Sequence, residues 1–185
     1  MSETSLPTRD RLITTAARLF RSQGYNGTGM AQILAEAKAP KGSLYHHFPA
    51  GKEDLALAAA DWASAGMLQI INDSFEPAAT YAQGAATLCH KLARLFDLSG
   101  GRDGCPVASI LLADPGNRVF RDRAAGIMGK WTRAIAYHAI RLGSDEAQAE
   151  ERAENLLIAI QGAWVLGRAR GSSDVLRQVP ARFPG

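Results

Sequence analysis

A chain of 185 residues with 46% hydrophobic and 21% charged side chains has the balance of a folded globular protein, which argues against wholesale disorder. Its apolar runs fall short of the roughly 18 residues needed to span a bilayer, and its start, MSETSLPTRD, lacks the basic and apolar regions of a signal peptide, so a cytoplasmic location with no membrane partner is expected. The net charge of +3 permits a polyanionic partner, and two cysteines without C-x-x-C spacing, Cys89 and Cys105, point to reduced thiols and not to a disulfide framework.

Thr8 suits a helix N-cap, with Asp10 in the first turn where a carboxylate meets the positive end of the helix dipole. Leu12, Ile13, Ala16, Leu19 and Phe20 then share one face, which predicts an amphipathic helix closed by Gly24. The stretch YNGTG is turn chemistry, and Thr28 or Gly29 opens a second, shorter helix with Met30, Ile33, Leu34 and Ala37 on one side. Pro40 has no N–H and a preset φ, so it fits the cap or first turn of a third helix from about Lys41 to His47. Three short helices with a tight break between the second and third spell a helix-turn-helix.

Gly51 is a cap for a fourth helix, with Glu53 and Asp54 in its first turn and apolar residues running through Leu55, Trp62 and Leu68 to about Phe75. From Ala78 onward there is no alternating strand pattern and no internal repeat, only helical stretches parted by LSGGRDGCP, ADPGN and LGSDEA. The expected fold is all-α, with an N-terminal three-helix domain over residues 1–54 and a helical domain over 55–185. Within residues 1–54, seven basic side chains (Arg9, Arg11, Arg18, Arg21, Lys38, Lys41, Lys52) face five acidic ones (Glu3, Asp10, Glu36, Glu53, Asp54), so +2 of the total +3 lies there.

From Asn117 to about Leu142, Phe120, Ile127, Trp131, Ile135, His138 and Leu142 recur at steps of three, four or seven, one stripe facing a core. The next helix, about Ser144 to Arg170, begins acidic and ends in Arg168 and Arg170, as the macrodipole prefers. Its second half, LLIAIQGAWVLG, is apolar nearly all round and must be buried on two sides, either within its own domain or against a second subunit. Ala159, Ala163 and Gly167 align at i, i+4 and i+8 as a small-residue face that admits another helix, and self-association through it is the preferred reading.

The segment APKGSLYHHF, residues 39–48, carries the densest chemistry. His46 and His47 point about 100° apart on a helix, with no Cys, Asp or Glu within a turn, so no metal site is expected. Ser43 and His46 could touch at i, i+3, but no carboxylate lies near to orient the imidazole. A recognition helix fits better: Leu44 and Phe48 form an apolar side, leaving Lys41, Gly42, Ser43, Tyr45 and His46 outward, cationic, hydrogen-bonding or absent, as a phosphate backbone requires.

The sequence TGMAQILAEAKAPKGSLYHHFPAGKEDL resembles the DNA-binding domain of TetR-family transcriptional regulators, whose helix-turn-helix ends in a K-G-x-L-Y-x-H-F pattern followed by a Lys-Glu pair. With GCPVA at 104–108, the proline version is most similar to the LmrA/YxaF-like subgroup. The resemblance implies that Lys41, Gly42, Ser43, Tyr45 and His46 meet operator DNA, Lys41 on a guanine edge or phosphate and Tyr45 and His46 on phosphates, while Thr28 and Gly29 lie near the backbone and Lys52 takes a phosphate. Three departures from the family pattern stand out: Pro40 replaces a common capping serine, Gly29 occupies a position often held by Ser or Thr, and PAG is one residue longer than the usual linker.

The resemblance further implies a C-terminal ligand-binding and dimerisation domain, no cofactor, and a ligand-responsive regulator, a repressor that binds a palindromic operator as a homodimer and is released by a small apolar or aromatic effector. Trp62, Phe96, Met128, Trp131 and Trp164 are candidates to line its cavity, with His138 as a polar anchor, or they are ordinary core residues. Cys105, ahead of Pro106 and a helix start, invites a redox reading against that of a small inert side chain. An enzyme working through Ser43 and His46 or through Cys105 is the rival class.

Overall fold

The computed structural model describes residues 6–114 and 116–182. Their regular structure is helical throughout: α1 (Thr8–Gly27), α2 (Met30–Glu36), α3 (Lys41–His47), α4 (Lys52–Phe75), α5 (Tyr81–Leu98), α6 (Pro106–Leu111), α7 (Arg118–Arg141), α8 (Glu146–Arg170), α9 (Asp174–Gln178) and a 3₁₀ turn, Pro180–Arg182. Pro115, in the expected break ADPGN, lies outside the described residues.

Local chemistry explains most boundaries. Pro40 precedes α3 in an extended conformation, leaving its missing N–H where no helical partner exists. The Asp145 carboxylate accepts from the Gln148 amide at the start of α8, and Gly171 ends it at φ 63°, a left-handed value that glycine adopts without penalty. Two expectations need adjustment. Thr8 is the first helical residue of α1 and not its cap, with Pro7 before it. Gly24, at φ 76° and ψ 162°, breaks α1 as predicted, but a further turn continues beyond it to Gly27.

The chain forms two compact units, the first comprising the described residues up to Ala65 with Pro106–Ala125, the second Gly66–Cys105 with the described residues from Gly126. The first unit thus holds the helix-turn-helix and adds the first part of α4, α6 and the start of α7. In it α1 packs against α2, α3 and α6, and Leu12, Leu19, Phe20, Ile33, Leu44, Leu55 and Phe120 are buried. The segment around α6 is fastened by Asn117 Nδ2 donating to Glu53 Oε1 at 2.8 Å, by Asn26 Nδ2 donating to the Ala113 carbonyl, and by the Tyr25 ring edge-on to Phe120 at 5.3 Å.

In the second unit α9 packs against both α5 and α8. Phe75, Phe96, Trp131, Ile135, Leu156 and Ile160 are buried. Arg141 Nη2 donates to the Phe75 carbonyl at 2.6 Å, adding to the bond that this carbonyl at the end of α4 accepts from the Ala78 amide, and the Tyr81 hydroxyl donates to the Arg152 carbonyl. Gly84 is where the Phe75 ring lies on α5; any Cβ there would collide with that ring.

Candidate nucleic-acid interface

A helix of seven residues does not hold its shape alone, and α3 is fixed from two directions. Leu44 and Phe48 are buried, with the Arg9 guanidinium over the Phe48 ring at 5.7 Å. The preceding turn is held by Arg11, whose Nε donates to the Ala37 carbonyl at 3.0 Å, Nη1 to Leu6 and Nη2 to Lys38. Lys38 itself stands at φ 50°, the one left-handed non-glycine residue described. Arg11 therefore ties the end of α2, and the strained residue after it, to α1, a role the sequence reading did not assign.

On the other side, Lys41, Gly42, Tyr45 and His46 are exposed, Tyr45 to 56%. A Cβ on Gly42 or Gly29 would meet nothing within 4 Å, so both leave open space beside the helix starts. Ser43 is half-buried and its hydroxyl donates to the Pro40 carbonyl at 2.7 Å, which occupies its proton but leaves its oxygen able to accept. The His46 and His47 rings meet edge to face at 4.9 Å. Among the described residues, no group of three or more His, Cys, Asp or Glu could hold a metal ion.

Two predicted contacts are placed differently. Thr28 is 1% exposed and its hydroxyl donates to the Gly24 carbonyl at 2.8 Å, so its side chain is spent inside the fold and does not face DNA. Lys52 is half-buried, its ammonium 4.4 Å from the centre of the Tyr25 ring, and burial lowers its pKa from the ordinary lysine value.

Residues 12–59 match the family model for bacterial regulatory proteins of the tetR family, and residues 82–182 match the C-terminal domain of LmrA/YxaF-like transcriptional regulators. The chain is 31% identical to the HTH-type transcriptional regulator LmrA of Bacillus subtilis (strain 168) over 178 residues, 95% of this chain and 94% of that one. It belongs to the TetR family of transcriptional regulators. Regulatory protein TetR from Rhodobacter sphaeroides shares its fold, with a TM-score of 0.81 at 24% identity over 94% of this chain and 95% of that one. So does the TetR family regulator CifR, solved with 26-bp double-strand operator DNA, with a TM-score of 0.78 at 22% identity over 94% and 93% of the two chains. TetR-family members are transcription regulators and not enzymes, and this one carries the DNA-binding helix-turn-helix in α2 and α3 and a C-terminal domain of LmrA/YxaF type.

The residues expected to line an effector cavity divide. Trp62 does not belong with the others: it lies in the first unit, 52% exposed. Phe96, Trp131, Trp164 and His138 are buried in the second unit and Met128 is half-buried there. His138, 4% exposed, stacks on Phe75 with ring centres 5.6 Å apart, and its Nε2 donates to Asn72 Oδ1 at 3.0 Å. Burial, followed by the nearby Arg141 charge, pushes its pKa down, so the imidazole is held neutral with Nδ1 as an acceptor that no partner reaches. Gln161 Nε2, a second buried polar atom without a partner, was not singled out from the sequence. Burial pushes the Cys89 thiol up to about 12, a poor nucleophile at neutral pH, and Cys105 is buried just ahead of α6.

Of the predicted small-residue face, Ala163 and Gly167 turn inward. Both are buried within the chain, and a Cβ on Gly167 would press on the Ser172 carbonyl at 3.0 Å and approach the Phe96 ring. Gly167 lets the Phe96 ring of α5 and the Ser172 carbonyl come close to α8, and burial within the chain removes both residues from the exposed face of the helix. Ala159 is half-buried. The outward apolar face of α8 is instead Ile158, Val165 and Leu166, the first two more than 60% exposed, beside the exposed Gly162.

Proposed function

We propose that this regulator is a homodimeric repressor that seats two copies of α3 in adjacent major grooves of a palindromic operator and is released by a small apolar or aromatic effector. The carrying observation is the outward face of α3, where Lys41, Gly42, Tyr45 and His46 stand exposed on a helix anchored from behind. Lys41 supplies a cation for a guanine edge or phosphate, and Tyr45 and His46 supply donors for phosphates. Gly29 and Gly42 leave room for close backbone approach. CifR, of the same fold, is seen on operator DNA.

Dimerisation is supported by the apolar outward face of α8, which is costly to leave in water. Exposed Tyr137 and Ile140 give α7 a similar face. A two-fold dimer repeats each α3 at roughly 34–36 Å, one turn of DNA, and makes the operator a near-palindrome. A dimer seated there excludes other proteins from the same duplex, and an effector relieves this if it binds better to a conformer with wrongly spaced heads. The unpaired His138 Nδ1 and Gln161 Nε2 offer an acceptor and a donor for such a molecule in the second unit.

Selection of fragments from genomic DNA with the purified protein tests the reading. Enrichment of a palindromic site, lost when the right effector is added, is expected; no enrichment at any salt concentration, or a single unrepeated half-site, contradicts it.

A further inference from the structure

The chain passes between its two units at Ala65 to Gly66, at Cys105 to Pro106 and at Ala125 to Gly126. The middle passage follows the loop after α5, which has no helical ladder to stiffen it. The other two run inside α4 and α7, whose helices continue from one unit into the other. Both helices change unit at a glycine.

Neither glycine is demanded by its surroundings. Gly66 and Gly126 are absent from the positive-φ residues, both are exposed, and a Cβ on either would meet nothing within 4 Å. Alanine would fit at each position and would hold the helix better, because glycine loses more backbone freedom on folding. Gly84 and Gly167, by contrast, are fixed by close neighbours. Gly162 also has open space around it, but it stands well inside the second unit, on α8 beside the exposed Ile158 and Val165.

On each side of these glycines, α4 and α7 are tied to one another. In the first unit Asn117 Nδ2 donates to Glu53 Oε1 at 2.8 Å and Arg123 Nη1 to Asp61 Oδ1 at 3.2 Å. In the second, His138 Nε2 donates to Asn72 Oδ1 at 3.0 Å and Arg141 Nη2 to the Phe75 carbonyl at 2.6 Å. Gly66 and Gly126 fall between the two sets of ties, where bending meets the least resistance from the backbone.

We infer that Gly66 and Gly126 form a paired hinge, at which α4 and α7 bend together and let the first unit turn against the second without melting either helix. Hinges are a few positions, often small residues, that absorb changes in φ and ψ while the bodies on either side stay packed. Helix stability given up at two positions where alanine fits is the trade expected where function needs movement. The inference does not rest on the repressor reading, although a change in head spacing would require such a joint.

Pulsed dipolar electron spin resonance on the full chain is the test. Nitroxides are placed at the exposed Gln23→Cys of the first unit and Glu150→Cys of the second, with the buried Cys89 and Cys105 retained. Labelled chain is diluted in excess unlabelled chain so that only distances within one chain are read. A broad distance distribution is expected, with its width cut by about half or more in Gly66→Ala with Gly126→Ala. The same double substitution should raise the melting temperature by about 4–8 °C, since each Cβ has room. Gly162→Ala, which gains the same helix propensity away from both passages, should keep the parental width. The inference is overturned if the double variant is as broad as the parent, if Gly162→Ala narrows the distribution equally, or if the double variant melts below the parent.

Discussion

α3 has seven residues and α8 has twenty-five, and the two solve opposite problems. α3 is too short to be a stable helix by itself; Leu44 and Phe48 pin it from beneath, while Arg11 holds the turn before it. Of the rest, Lys41, Tyr45 and His46 stand exposed and are available for recognition. α8 buries Ala149, Ala153, Leu156, Ile160, Ala163, Trp164 and Gly167 along one stripe, so it is a wall of its unit. Its opposite face is apolar where that of α3 is polar. A polar outward face suits a partner that comes and goes, and an apolar one a partner that stays.

Substitutions sharpen that contrast. Trp164→Ala, on the inward stripe of α8, is expected to lower stability by about 3–5 kcal/mol through the cavity it leaves, read as a shifted midpoint in chemical denaturation. An effect below about 1 kcal/mol would mean that this stripe is not the wall described. On the outward face of the same helix, Ile158→Asp with Val165→Asp should weaken self-association by on the order of 3 kcal/mol, since two charges would be buried without partners. Light scattering then shows monomers that remain folded; persistent dimers would remove α8 from the interface.

Arg11→Met touches α3 only through its support. Loss of charge-assisted bonds to three carbonyls costs about 1.5–3 kcal/mol, and DNA affinity is expected to fall although residue 11 is not on the recognition face. Retained affinity in a gel-shift titration would show that the turn holds itself. The smallest effect concerns pH. His138 has a folded pKa below the ordinary 6.5, so more protons bind to the unfolded chain as pH drops. Its contribution is present above about 6.5 and is lost as pH falls through the depressed folded value. Thermal melts between pH 7.5 and 5 should therefore fall more steeply for the parent than for His138→Gln.

Helix ends were the most legible feature, because Gly24, Pro40 and Gly51 act through their own backbone or cap chemistry, which needs no knowledge of neighbours. The polar face of α3 was legible for a related reason: with only Leu44 aliphatic among its seven residues and Phe48 directly after them, the inward side has one solution. α8 has two apolar sides, and periodicity alone does not say which is inward. The bulky Leu156, Ile160 and Trp164 mark the buried side, and they carry Ala163 and Gly167 in with them. Thr28 was misjudged because its hydroxyl turns back four residues to the Gly24 carbonyl, a local bond that competes with an outward contact and that the turn-like stretch YNGTG did not announce. Trp62 was assigned to the wrong unit because nothing in the unbroken sequence of α4 signals that the first unit extends to Ala65.

The outward face of α3 is tested most directly by operator affinity across a salt series for the parent and for Lys41→Ala with Tyr45→Ala. The account predicts a loss of about tenfold or more per residue and a salt dependence shallower by about one unit, at an unchanged melting temperature. Parent-like affinity and slope in the double variant would contradict it.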